Sequence, residues 1–219
     1  MKSVFALALL AATASAGYVK GVDCAYAYPQ ESWDCLKSKG YDFAVIRCYR
    51  SVGKPDDACA ESVLKARKAG MSPIDLYFFP DRDTDAAEQM KTFKAHVDEK
   101  NITFDHLWLD IEMKNEYWFS DTTKNRNFFT TLANTGVELF GEKLAGVYTN
   151  KNGWTSIMGD WSGGSQFKIW WAYWVSETQT WDAWTDFCGW TKEDLVYKQY
   201  TGGKTICDMS VDQDSYYVA

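Results

Sequence analysis

Three apolar runs, residues 43–48, 74–79 and 107–112, are nearly continuous rather than alternating, and stretches with helical spacing separate them. Runs of that kind are buried on both faces, as strands are in a parallel sheet covered by helices. A first strand is expected over 18–23 and a fifth over 143–148, with helices over about 29–39, 55–69, 84–99 and 122–140. Gly40, Gly70 and Pro80 act as stops, and Thr84 or Asp85 supplies an N-cap. Repeated β-α units imply parallel pairing with right-handed crossovers.

After Thr149 the pattern changes. Gly and Trp become frequent, helical periodicity fades, and strands over 167–174, 194–200 and near 209–212 follow closely. Five βα units plus three strands with few helices make eight strands, enough to close a side-chain-filled barrel. The expected fold is therefore α/β, an irregular TIM-like barrel, with 17–219 forming a single domain. Chemistry in such barrels sits at the C-terminal ends of the strands. Asp23 ends the first strand, Asp110 and Glu112 the fourth, and Asp212 lies at or near the end of the last. One residue separates Asp110 from Glu112, so their side chains share a face roughly 6–7 Å apart, and each disfavours ionisation of the other. Tyr77, Phe79, Tyr148, Trp171 and Tyr173 are expected to ring the same mouth. Acids in an aromatic bowl suit hydrolysis of a sugar bond.

The N-terminus carries Lys2, an apolar run over 4–12, and Ala14-Ser15-Ala16 before Gly17. That is the pattern of a signal peptide over 1–16, too short to span a membrane. The expectation is a protein that is secreted, or delivered through the secretory pathway to a lysosomal, phagosomal or digestive vacuole, and not inserted in a membrane. Six cysteines, Cys24, Cys35, Cys48, Cys59, Cys188 and Cys207, are candidates for three disulfides. Their grouping, four early and two late, favours pairing within each group, Cys188 with Cys207 first. None has the C-x-x-C spacing of a zinc site. The net charge of −7 disfavours nucleic-acid binding. His96 and His106 are too few and too far apart for a Ser/His triad and are read as structural.

Seven segments occur in order along the chain: Gly21-Val22-Asp23, Phe43-Ala44-Val45-Ile46-Arg47, Leu109-Asp110-Ile111-Glu112, Val147-Tyr148-Thr149, Ile169-Trp170-Trp171-Ala172-Tyr173, Gln199-Tyr200-Thr201 and Val211-Asp212. Together they resemble glycoside hydrolase family 25, the Chalaropsis-type lysozymes, in their secreted eukaryotic branch. The resemblance implies hydrolysis of the β-1,4 bond between N-acetylmuramic acid and N-acetylglucosamine in bacterial peptidoglycan, for killing or digesting bacteria. It implies Glu112 as general acid, Asp110 as the group that orients the substrate's acetamido group or stabilises developing charge, and Asp23 and Asp212 as flanking acids. The family usually has Asn where Asp214 stands, and Tyr-His-Phe where this chain reads Tyr77-Phe78-Phe79. No cofactor or metal is implied, and a monomer is expected. A chitinase-like glycosidase and a carbohydrate-binding, lectin-like protein on the same barrel are the alternatives. The longer D-x-x-D-x-D-x-E run of the former is absent, since Trp108 and His106 precede Asp110. The latter predicts loss of one of the four acids.

Overall fold

The structure is a computed structural model that describes residues 17–219. The leader expected over 1–16 lies outside them. The elements are β1 (Gly17–Cys24), α1 (Gln30–Ser38), β2 (Tyr41–Arg50), β3 (Lys54–Pro55), α2 (Cys59–Lys68), β4 (Ile74–Phe78), α3 (Ala86–Glu99) and β5 (Leu107–Asp110). Then come α4 (Lys114–Tyr117), α5 (Thr122–Phe140), β6 (Leu144–Thr149), α6 (Lys151–Met158), β7 (Lys168–Ala172), β8 (Leu195–Ile206) and β9 (Met209–Val218). The strand order is β1-β9-β8-β7-β6-β5-β4-β2, and a parallel β1–β2 pairing closes it into an eight-stranded barrel. The short β3 pairs antiparallel with β2 at the barrel's edge.

The apolar runs become strands with two buried faces, as their lack of alternation requires. Phe43, Val45, Trp108, Tyr148, Trp170 and Tyr197 fill the lumen. Ala44, Ile46, Leu107, Leu109 and Ile111 belong to the larger core outside it, together with Phe93 of α3 and Leu132 of α5. Strand parity therefore puts Asp110, two residues beyond Trp108, on the lumen side. The lumen is packed ring on ring: Phe43 stacks on Tyr197 at 4.9 Å, and Tyr148 meets Trp170 at 4.5 Å. Below these rings lies Asp75, fully buried, which accepts from Trp108 Nε1 at 2.9 Å and from the His106 backbone at 3.1 Å. The His106 ring lies 3.1 Å from the same carboxylate, a packing role.

Gly146 of β6 pairs with Trp108 of β5 and Lys168 of β7. A Cβ there would run into the Lys168 carbonyl and the Trp108 ring, so the close approach of β5, β6 and β7 requires glycine.

Several expectations need correction. The fourth strand stops at Asp110 rather than at 112, because Met113 turns into the left-handed region at φ 54° to start α4. Ile111 still donates to the Tyr148 carbonyl and its own carbonyl accepts from Thr149 Oγ1, so the chain runs on beside β6 as far as Glu112. Helix α6 is present where periodicity fades, fixed by Asn150 accepting from Gly153 N and by Gly159 at φ 70°. The last strand spans ten residues and runs antiparallel to both neighbours.

Cysteine pairing agrees with expectation for Cys48–Cys59, inside the early group, but Cys207 bonds Cys35 and not Cys188, and two bonds form rather than three. The bonds are Cys35–Cys207 and Cys48–Cys59, and Cys24 and Cys188 are free thiols. Barrel closure explains the first bond. With β9 beside β1, the Cys207-Asp208 hairpin turn, both residues at positive φ, comes to lie against α1. Cys188, within the segment between β7 and β8, sits instead beside Asp160.

The two disulfides close loops of very different length, with separations of 172 and 11 residues. Replacing both cysteines of Cys35–Cys207 with Ala is expected to cost about 5 kcal/mol, against about 3 kcal/mol for Cys48–Cys59. Urea denaturation of the two double variants checks this, and the reverse ranking refutes it.

Candidate active site

Three elements deliver acids to one end of the barrel. Asp23 stands near the C-terminal end of β1, Asp110 ends β5, and Glu112 follows on the extended segment after it. Asp212 arrives from the opposite direction. Because β9 is antiparallel, its N-terminal half lies at the mouth, and register pairs Asp212 directly with Asp23. The expected meeting of these two residues thus occurs, but at the beginning of the last strand rather than at its end. One pleat deeper, Asp214 pairs with Gly21 and is fully buried.

All four expected acids line one small cavity of about 80 Å³, with Tyr77, Tyr148, Trp170 and Gln199 completing its wall. Gln199 is the hub. Its Nε2 donates to Asp23 Oδ2 at 2.7 Å and to Asp212 Oδ2 at 3.3 Å. Its Oε1 accepts from Tyr148 OH at 2.7 Å and from Trp174 Nε1 at 2.9 Å. Sequence reasoning names Gln199 only as part of the segment Gln199-Tyr200-Thr201, with no role in the site, and does not single out Trp174. The available signal is a lone amide in the aromatic run Tyr197-Lys198-Gln199-Tyr200. Asp212 also accepts from the backbone N–H of Gly203, at φ 64°, at 2.6 Å. Trp170 Nε1 donates to Asp214 Oδ1 at 2.8 Å, while Asp214 Oδ2 and Asp110 Oδ1 are buried with no hydrogen-bond donor beside them.

Such crowding favours protonated carboxyls. Burial, then the charge of Asp212, then that of Glu116 push Glu112 up to about 7. Asp23 is raised by burial and by Asp212, and Asp110 is raised well above the carboxylate range by burial and by Glu112. Asp212 moves up more modestly, because the Gly203 N–H opposes its burial. Asp214 is raised strongly by burial and then by Asp23. A protonated Asp214 can donate to Asp23, the neighbouring carboxyl that holds its proton in place.

Glu112 and Tyr148 also line a second, open groove of about 460 Å³. Trp171, Tyr173, Trp174, Val175 and Phe187 form its apolar side, with Asn150, Lys151 and Asn152 from the start of α6 on the other. Trp171 and Tyr173 stack at 4.6 Å. Behind them Lys198, fully buried, donates to the carbonyls of Thr178 and Thr180 at 2.6 and 2.8 Å and so pins the loop that walls the groove. Of the expected aromatic residues, Tyr77 lies in the inner cavity, Tyr148 in both, and Trp171 and Tyr173 in the groove. Phe79 lines neither. It falls one residue beyond β4, and its ring packs edge-on against Tyr117 at 4.8 Å.

A barrel whose mouth holds a protonated carboxyl between an acid-lined cavity and an aromatic groove is the architecture of a glycoside hydrolase. Comparison with known proteins agrees. The family model described as Lysozyme-like protein 1 matches residues 14–200. A Dictyostelium discoideum protein named probable GH family 25 lysozyme 2 is 37% identical over 90% of this chain and 91% of its own. Probable GH family 25 lysozyme 5 of the same organism is 34% identical over 89% of this chain and 88% of its own. A family GH25 lysozyme from Aspergillus fumigatus has the same fold, with a TM-score of 0.73 at 17% identity over 93% of this chain and 95% of that one. The chain belongs to the glycoside hydrolase family 25 lysozymes.

Asp214→Asn tests the protonation of the inner acids. An amide can accept from Trp170 and donate toward Asp23 without titrating. A carboxyl raised on folding stabilises the fold below its unfolded pKa and loses that contribution as pH rises through the folded value. The variant is therefore expected to melt about 2–4 °C higher than wild type near pH 8 and to gain less near pH 5. Thermal melts at the two pH values decide it: no gain at the higher pH refutes the assignment.

Proposed function

We propose that the protein is a muramidase that hydrolyses the β-1,4 bond between N-acetylmuramic acid and N-acetylglucosamine in bacterial peptidoglycan, and that it serves to kill or digest bacteria. The observation that carries this reading is the position of Glu112. It stands where the groove meets the acid cavity, with a proton held to about pH 7. Breaking a glycosidic bond needs a proton on the leaving oxygen and stabilisation of an oxocarbenium-like centre. Glu112 is the proton donor, and Trp171 and Tyr173 offer ring faces for the sugars outside.

Asp110 sits behind Glu112 with a buried Oδ1 that no protein group meets. Asp110 also lines the inner cavity, where it orients the substrate's acetamido group for attack on the anomeric carbon. Gln199 holds Asp23 and Asp212 in place beside the reacting centre. Asp214 leaves these roles in place, because it lies one pleat below them. The enzyme acts as a monomeric single-domain barrel over 17–219. It reaches its target by secretion, or through the secretory pathway to a lysosomal, phagosomal or digestive vacuole. Two disulfides fit that oxidising route.

Clearing of a bacterial cell-wall suspension tests the central assignment. Glu112→Gln is expected to lower the rate about 10²–10⁴-fold, the usual contribution of a general acid, and equal clearing by the variant refutes its role. The wild-type rate is expected to fall as pH rises through about 7, as Glu112 loses its proton. A maximum well above that value contradicts the reading. Attack by the acetamido group predicts net retention at the first-formed anomeric centre. Proton NMR of the early product reads this, and inversion rules the acetamido route out.

A further inference from the structure

We infer that a cationic, aromatic pocket beside the mouth, built by Arg82, Lys114, Trp118 and Phe119, binds a carboxylate of the peptide that peptidoglycan carries on its muramic acid units. The inference rests on the muramidase reading and names a second point of contact for the same substrate.

The protein carries a net charge of −7, and four of its acids line the mouth. A glycan bearing peptide carboxylates is repelled by such a surface unless cations beside the cavity receive them. On the α6 side, the groove lining contains one cation, Lys151. Next to it, where α4 packs against α6, a pocket of about 410 Å³ is lined by Arg82, Lys114, Asn115, Trp118, Phe119 and Ser120. No carboxylate lines it.

Its parts are held in place. An Arg82 Nη1 N–H donates to the Trp118 carbonyl, and the guanidinium lies 5.8 Å from the centre of the Phe119 ring. Lys124 Nζ stands 5.9 Å from the same ring. The nearest acid to Arg82 is Asp83, 3.8 Å away on a side chain that is 76% exposed, a weak competitor in water. Among the described residues, Lys114 and Lys124 have no ion-pair partner. An oriented guanidinium beside an unpaired ammonium suits a carboxylate, and the Phe119 ring suits the carbon chain that bears it.

The pocket is also tied to the acid. Trp118 Nε1 donates to the Glu112 carbonyl at 2.8 Å, and Lys114 follows Glu112 by two residues. The short helix α4 thus ties the Glu112 segment to the cations of the pocket.

The test compares uncrosslinked peptidoglycan fragments carrying free peptide carboxylates with the same fragments after those carboxylates are converted to amides. Wild type is expected to have the higher kcat/KM on the free-carboxylate form. Lys114→Ala removes a side chain that makes no hydrogen bond among the described residues. It should lower the ratio of the two kcat/KM values about 10-fold, the scale of one charge-assisted contact, with the loss in KM. Arg82→Lys, which keeps the charge and loses the guanidinium, should lower it by less. A wild type with no preference, or variants that lose equally on both substrates, overturns the pocket while leaving the muramidase reading intact. A wild type that cleaves neither form overturns that reading and the pocket with it.

Discussion

The antiparallel seam in which β9 lies between β1 and β8 governs the rest of the molecule. It completes the ring that the β1–β2 pairing closes, and it brings a strand into the mouth by its own N-terminal half. Asp212 is consequently set opposite Asp23, Asp214 one pleat below, and Gln199 of β8 across from both. The same seam carries the β8–β9 hairpin to α1, where Cys35 bonds Cys207. Closure, acid placement and the long-range covalent tie are one geometric event.

Charge then follows from shape. Carboxyls around a cavity of about 80 Å³ have little water to ionise into. Burial is the leading cause of every upward shift among them, and mutual repulsion adds to it. Gln199 supplies N–H bonds that favour the charged forms of Asp23 and Asp212, and Gly203 adds another to Asp212. Protons are therefore retained most strongly at Asp110 and Asp214, which lack such donors or lie deepest. Glu112 is at the rim, open to the groove, and so is the acid that both holds a proton and can meet a substrate.

The electrostatic layout outside the cavity is uneven. Aromatic rings dominate the β7–β8 side, and the loop behind them is fixed by the buried ammonium of Lys198. On the side of the loops after β4 and β5, two cations converge on Phe119 while Lys114 lies beside them. An acidic chain thus presents an apolar face and a basic face beside the same carboxyl.

Much of this was legible in the sequence. Uninterrupted apolar runs separated by helical spacing determine a parallel, helix-covered sheet, because no one-sided strand reads that way. The single residue between Asp110 and Glu112, with Trp108 preceding them, determines which acids share the lumen face, because side chains alternate whatever the fold. The helix over Thr122–Phe140 is equally local, set by its Asp121 cap and the Gly141 stop. Tertiary structure alone decided the direction of β9, the partners of Cys35 and Cys48, the role of Gln199 and the basic pocket at α4. Each depends on which distant strands and loops become neighbours when the barrel closes, and the spacing of residues along the chain holds no record of that.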